Sequence, residues 1–141
     1  MIGAAAGRDG VTARCHAIEE AYEFMLAYAA QGVGGEPDSQ PGTQIREFLT
    51  RASVALDGLA DGYRALVEGE VLTPADRYAA FLVVLDRDAH DALAAVQLVL
   101  AQGSISSQLV DNLNASIHVR ALLTDLFLID EVLKNAPTPS A

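Results

Sequence analysis

The sequence predicts an all-α domain, an antiparallel up-down-up-down four-helix bundle with long helices. Three observations carry this reading. Apolar residues recur at helical spacing over four long segments, the breaks between them are made of Gly, Pro and capping residues, and no segment alternates apolar and polar residues as a half-buried strand does. Of the 141 residues, 51% are hydrophobic and 20% charged, which suits one buried core and excludes a disordered chain. The expected organisation is a flexible N-terminus over 1–10, a single bundle domain over 11–135 and a frayed tail over 136–141.

The first helix is predicted from about Thr12 to Gln31. It stops where Gly32, Gly34 and Gly35 admit left-handed backbone and where Pro37 and Pro41 forbid a continuing helix. The connection from Gly32 to Gly42 is the longest and is expected to be the most mobile. At 100° per residue Val11, Ile18, Ala21, Tyr22, Met25 and Ala29 form the core stripe, and His16, Glu19, Glu20 and Glu23 face the other way. A second helix from about Thr43 to Gly69 turns Ile45, Phe48, Leu49, Ala52, Leu56, Leu59, Tyr63 and Val67 inward. Gly58 and Gly62, four apart on it, read as a place where another helix comes close.

Thr73 caps the third helix in this reading, with Pro74 at its first position and Asp76 at its third. Its core face is Tyr78, Phe81, Leu82, Leu85, Ala89, Ala92, Val96 and Val99. Gly103 ends it, and Ser106 caps the fourth helix, with Ile105 and Val110 placed to staple the turn. Helices of roughly 30 to 45 Å in so short a chain have to lie side by side, and short connections make neighbours antiparallel.

The third and fourth helices carry more apolar residues than one core stripe holds. Ala80, Val83, Val84 and Leu98 lie on other sides of the third. Between Val119 and Leu133 ten of fifteen residues are apolar and surround the fourth. Such helices need neighbours on several sides, so a second apolar surface is expected, formed by Val83, Val84, Leu98, Leu122, Leu126, Ile129 and Leu133, and covered by a second copy of the chain.

Charge narrows the partners. With 19 Asp plus Glu against 9 Lys plus Arg, the net charge of -10 repels nucleic acid and an anionic membrane surface, and Lys134 is the only lysine. Arg87, Asp88 and Asp91 interrupt one candidate membrane span, and Arg120, Asp125 and Asp130 the other. The start of the chain lacks the basic and apolar run of a secretory signal, and Cys15, the only cysteine, excludes an intrachain disulfide. A cytoplasmic location is expected.

Candidate chemistry is sparse. A dinuclear metal site in a bundle needs Glu-x-x-His, which does not occur, and His16 and His90 fall on outward faces, so neither metal nor cofactor is expected. Asp86 and His90 pair along one face, which reads as a solvated surface turn. Arg14 and a helix start beside Cys15 would favour a reactive thiol, against the plainer reading of a core-edge residue.

The best candidate site is a polar stripe on the fourth helix, Asp111, Asn114, His118 and Asp125. If it is buried, an aspartate there shifts His118 and makes it a switch or ligand contact, and Tyr63 is the tyrosine aimed at any ligand between helices. The leading expectation is a non-enzymatic accessory or regulatory protein that acts through helix contacts as a homodimer. The rival is a small-ligand or metal-binding bundle, and a third reading is an enzyme using His118 with Asp125 or Asp111 as acid and base.

Overall fold

The structure is a computed structural model that describes residues 3–136. Among them lie six helices and no strand: α1 (Gly3–Ala29), α2 (Gln40–Leu56), α3 (Leu59–Gly69), α4 (Ala75–Leu100), α5 (Ser107–Ala115) and α6 (Ile117–Asn135). Residues 1–2 of the expected flexible N-terminus and 137–141 of the expected tail lie outside the described residues.

Two of the four expected segments are each a pair of helices. The second breaks at Asp57, which is extended, and Gly58, which takes φ +83°, a left-handed conformation that a side chain resists. Gly62, by contrast, does mark a close approach, since a Cβ there would meet Val11 Cγ2 at 3.4 Å. The fourth breaks at Ser116, whose extended backbone (φ -66°, ψ 142°) ends α5 and starts α6.

The other boundaries shift for local reasons. α1 reaches back to Gly3, and Arg8 fastens it to the end of α3 by a two-pronged pair with Glu70, both contacts at 2.6 Å. Glu70 is buried, and the Arg8 hydrogen bonds hold its carboxyl below the usual range. Pro41 opens a helix instead of prolonging a loop: Ser39 accepts from the Gly42 amide at 3.0 Å as N-cap of α2, and proline fits the first turn, where its missing N–H is not needed. At α4 the capping position falls on Pro74, not Thr73, because Pro74 is still extended and Ala75 is the first helical residue. Ser106 caps α5 as its sequence predicts, accepting from the Leu109 amide at 3.1 Å, with Ile105 and Val110 both fully buried.

Arginines close two helix ends from neighbouring elements. Arg14 of α1 donates to the carbonyls of Val54, Ala55 and Asp57, and Arg46 of α2 donates to those of Leu100, Gln102 and Gly103. The last carbonyls of a helix have no partner within it, so these guanidinium groups satisfy α2 and α4 where they stop. Arg14 therefore serves the α2 terminus rather than the Cys15 thiol.

The Gly-rich connection is sewn down. The Ser107 amide donates to the Val33 carbonyl at 2.9 Å, Val33 returns its amide to Ser107 Oγ at 3.0 Å, and the Tyr28 hydroxyl donates to the Ile105 carbonyl. Packing around this point is tight: α1 lies against α2, α3 and α5, and α4 lies against α2, α3, α5 and α6. The core stripe of α1 is Val11, Cys15, Ile18, Ala21, Met25 and Tyr28, with Tyr22 and Ala29 only half-buried.

Gly35 lies inside this stitching with φ +68°, and a Cβ there would collide with the Ile105 carbonyl and the Tyr28 hydroxyl. Gly32 shares the φ of +68° but faces open space. Urea denaturation should therefore show Gly32→Ala costing about 1 kcal/mol, from backbone conformation alone. Gly35→Ala should cost about 3 kcal/mol or more, because the collision adds to the strain.

Candidate functional site

The seam between α4 and α6 carries the features that a core-forming role does not explain. Phe81, Val84 and Asp88 fall at positions i, i+3 and i+7 of α4, and Asp125, Leu128 and Val132 fall at the same spacing on α6, so each set shares one helix face. At one end of the seam Pro74, Arg77, Tyr78, Phe81, Leu128, Ile129 and Val132 line an apolar groove of about 320 Å³. Val84, Leu128 and Val132 are exposed. Further along, the carboxyls of Asp88 and Asp125 meet.

This carboxyl pair has a definite chemistry. With both groups ionised there is no donor between them, and Oδ2 of Asp125 is buried without a partner. One proton supplies the missing hydrogen bond. Burial first, and then Asp88, push the Asp125 carboxyl up to about 7.

The structure separates the polar stripe expected on the fourth helix. The break at Ser116 resets the helical phase, so Asp111 and Asn114 belong to α5 while His118 and Asp125 belong to α6. Asp111 is exposed beside an open cleft that also touches Tyr22, Leu26 and Arg120. Asn114 is buried, and its Nδ2 donates to the Met25 carbonyl of α1 at 3.2 Å. His118 is exposed in the first turn of α6, and Asp125 alone reaches the seam. Asp111 and Asp125 are thus not brought together around His118.

Tyr63 does not face a cavity. It is fully buried, donates to Asp130 Oδ1 at 2.6 Å, and lies 3.1 Å from Cys15 Sγ. Because the phenol proton goes to Asp130, the Cys15 thiol is left to donate to the phenol oxygen, which makes a short chain from α1 through α3 to α6. Burial, with Asp130 next, raises the Tyr63 hydroxyl well above its ordinary value. Burial likewise pushes the Cys15 thiol up to about 11, the opposite of the activation that a reactive cysteine needs. His90 is the solvated residue its sequence predicts, with Nδ1 2.8 Å from the Asp86 carbonyl, and this hydrogen bond together with the Asp86 charge raises its pKa.

The expected second apolar surface needs correction at four of its seven residues. Leu122, Leu126, Ile129 and Leu133 are buried in the chain's own core, and of these only Ile129 reaches the floor of the groove. They share one stripe of α6 with Val119, and that stripe faces inward. Val83, Val84 and Leu98 are exposed, and the α6 residues beside them in exposure are Ile117, Phe127, Leu128 and Val132. Leu128 and Val132 were legible as an outer face, since they lie about 100° off the Leu122–Leu126–Ile129–Leu133 stripe. The Asp88–Asp125 meeting was not legible, because nothing in the chain sets the register of α4 against α6.

Two measurements follow. Asp125 binds its proton more tightly folded than unfolded, so its contribution to stability is present in full below about pH 4, declines as pH rises towards 7 and is flat above. Asp125→Asn mimics the protonated form: denaturant melts should show it close to the parent chain at pH 4 and more stable by roughly 1–2 kcal/mol at pH 8, once solvent screening of a half-buried group is allowed for. Tyr63→Phe strands the Asp130 carboxylate and the Cys15 thiol, and should cost roughly 1–3 kcal/mol in the same melts.

No protein-family model, curated protein or solved structure matches this chain.

Proposed function

We propose that this chain is a cytoplasmic accessory or regulatory protein that works through helix contacts, and that its first partner is a second copy of itself joined at the α4–α6 seam. The observation that carries this reading is the apolar run of Phe81, Val84, Leu128 and Val132 along that seam, three of them exposed. The six helices read as four antiparallel rods, α1, α2 with α3, α4, and α5 with α6. This is supported by the contacts at the two ends, Arg8 with Glu70 at one and Arg46 with Leu100 at the other. In such an arrangement α4 and α6 are adjacent outer rods with a shared face open to a partner.

That face lies at the lower edge of what a stable interface takes. α6 is about 28 Å long and α4 about 39 Å, and each is about 10 Å wide, so the stretch they share offers roughly 600 Å² before surface relief is counted. A standard-size interface takes about 800 Å² from each partner. Two-fold symmetry sets the seam of one copy on that of the other.

A second reading, a small apolar ligand, draws on the groove itself, whose 320 Å³ lies at the lower edge of small-molecule sites. Native mass spectrometry of protein from its own cells separates the two. A doubled mass without addition supports self-association, and a stoichiometric added mass supports the ligand.

Val84→Glu with Leu128→Glu should weaken self-association by at least about 100-fold, on the order of 3 kcal/mol, in light scattering, with helical circular dichroism unchanged. Phe127→Glu removes an equally exposed apolar side chain that points about 100° away from Leu128, and should leave the dimer intact. A parent chain that remains a 14.8 kDa monomer at high micromolar concentration defeats the reading.

A further inference from the structure

The seam joins two unlike surfaces. Its apolar end would favour contact with another copy under any conditions. Its other end places the carboxyls of Asp88 and Asp125 together, with one oxygen of Asp125 buried and unpartnered when both are ionised. No cation offsets them: among the described residues, the ion pairs involve neither Asp88 nor Asp125.

At the α2–α3 junction and on α3, Asp57 and Asp61 line a separate cleft together with Asp86 and His90 of α4. On α4, Arg87 and Asp91 flank Asp88 at exposed positions. On α5, Asp111 is exposed beside the Arg120 cleft. On α6 itself, His118 and Arg120 are exposed in turns before Asp125, and Asp130 is held by Tyr63. A two-fold partner on this seam would bring the same carboxyls of the second copy towards them, within two chains that each carry a net charge of -10.

Resting on the self-association reading above, we infer that joining two copies through the α4–α6 seam is proton-linked, with the Asp88–Asp125 pair of each copy holding one shared proton when the seam is covered and opposing contact when that proton leaves. Covering the seam removes the remaining water from a carboxyl pair that has no other donor, and two adjacent carboxylates cannot both stay ionised in such a place. The free chain is poised for this, since burial and Asp88 already push Asp125 up to about 7. The assembled form holds the proton more tightly still, so association takes protons up and weakens as pH rises above 7. Below that value both forms are protonated and affinity is level.

The test is the dimer dissociation constant of the full chain, measured by sedimentation at pH 6.0, 7.5 and 8.5 and constant ionic strength, for the parent, Asp125→Asn and His118→Gln. The expected result for the parent is a Kd that rises at least about tenfold from pH 6.0 to 8.5, with an upper slope of two protons per dimer. Asp125→Asn, which keeps a neutral hydrogen-bonding group, should dimerise with the same Kd at all three values, and His118→Gln should follow the parent. A parent Kd that does not change with pH overturns the linkage and leaves the dimer standing. A pH response that survives Asp125→Asn overturns the assignment to the carboxyl pair, whatever His118→Gln shows. A chain that is monomeric at every pH, in the parent and in Asp125→Asn alike, overturns the self-association reading and this inference with it.

Discussion

The inner stripe of α4 is the wall on which the rest of the molecule leans. Leu82, Leu85, Ala89, Ala92, Val96 and Val99 are all buried on one side of that helix, and four other helices pack against it. Because a helix has only so much circumference, a wall that serves α2, α3, α5 and α6 leaves an outer edge where α4 and α6 meet with nothing behind them. The seam follows from that constraint.

Polar groups inside the fold are handled in two ways. At the helix ends they are satisfied by long side chains arriving from elsewhere, Arg14 at α2, Arg46 at α4 and Arg8 at Glu70. Inside the core, Cys15, Tyr63 and Asp130 satisfy one another in a line that crosses three helices. Both devices fix the elements relative to one another more firmly than apolar contact does, since a hydrogen bond has a direction and hydrophobic burial has none. Neither device reaches Asp125, whose Oδ2, like Asn114 Oδ1 and Ser116 Oγ, is buried without a partner. A protein of this acidity that keeps two carboxyls together on an open apolar seam holds a group sensitive to its surroundings where a structural role asks for an aliphatic residue.

Helical periodicity read correctly what depends on one helix at a time. Most of the inward residues of α2 and α4, the cap at Ser106, and the exposure of Val83, Val84 and Leu98 follow from a 3.6-residue repeat and from local hydrogen bonding, whereas Phe48, Tyr78 and Phe81, expected in the core, are only half-buried. The break at Asp57-Gly58 was also written in the chain, as a dipeptide that commonly turns, but it was masked by apolar periodicity on both sides. Ser116 carried a weaker signal, a capping residue with no acidic partner three positions on. Missing that break placed Asp111, Asn114, His118 and Asp125 on a single stripe that the kinked backbone divides.

The sequence by itself determined that this protein is helical, where its long connections fall, and which stripe of most helices is apolar, because these properties arise from neighbours within a few residues along the chain. Tertiary structure alone decided which stripes face one another. Leu122, Leu126, Ile129 and Leu133 became core because α6 turned that face inward, Tyr63 became a bridge because Cys15 and Asp130 arrived on either side of its hydroxyl, and Asp88 met Asp125 because α4 and α6 packed in one register. Apolar burial is non-directional, so an apolar stripe says that a helix will be covered and leaves the identity of the cover to the packing of the whole.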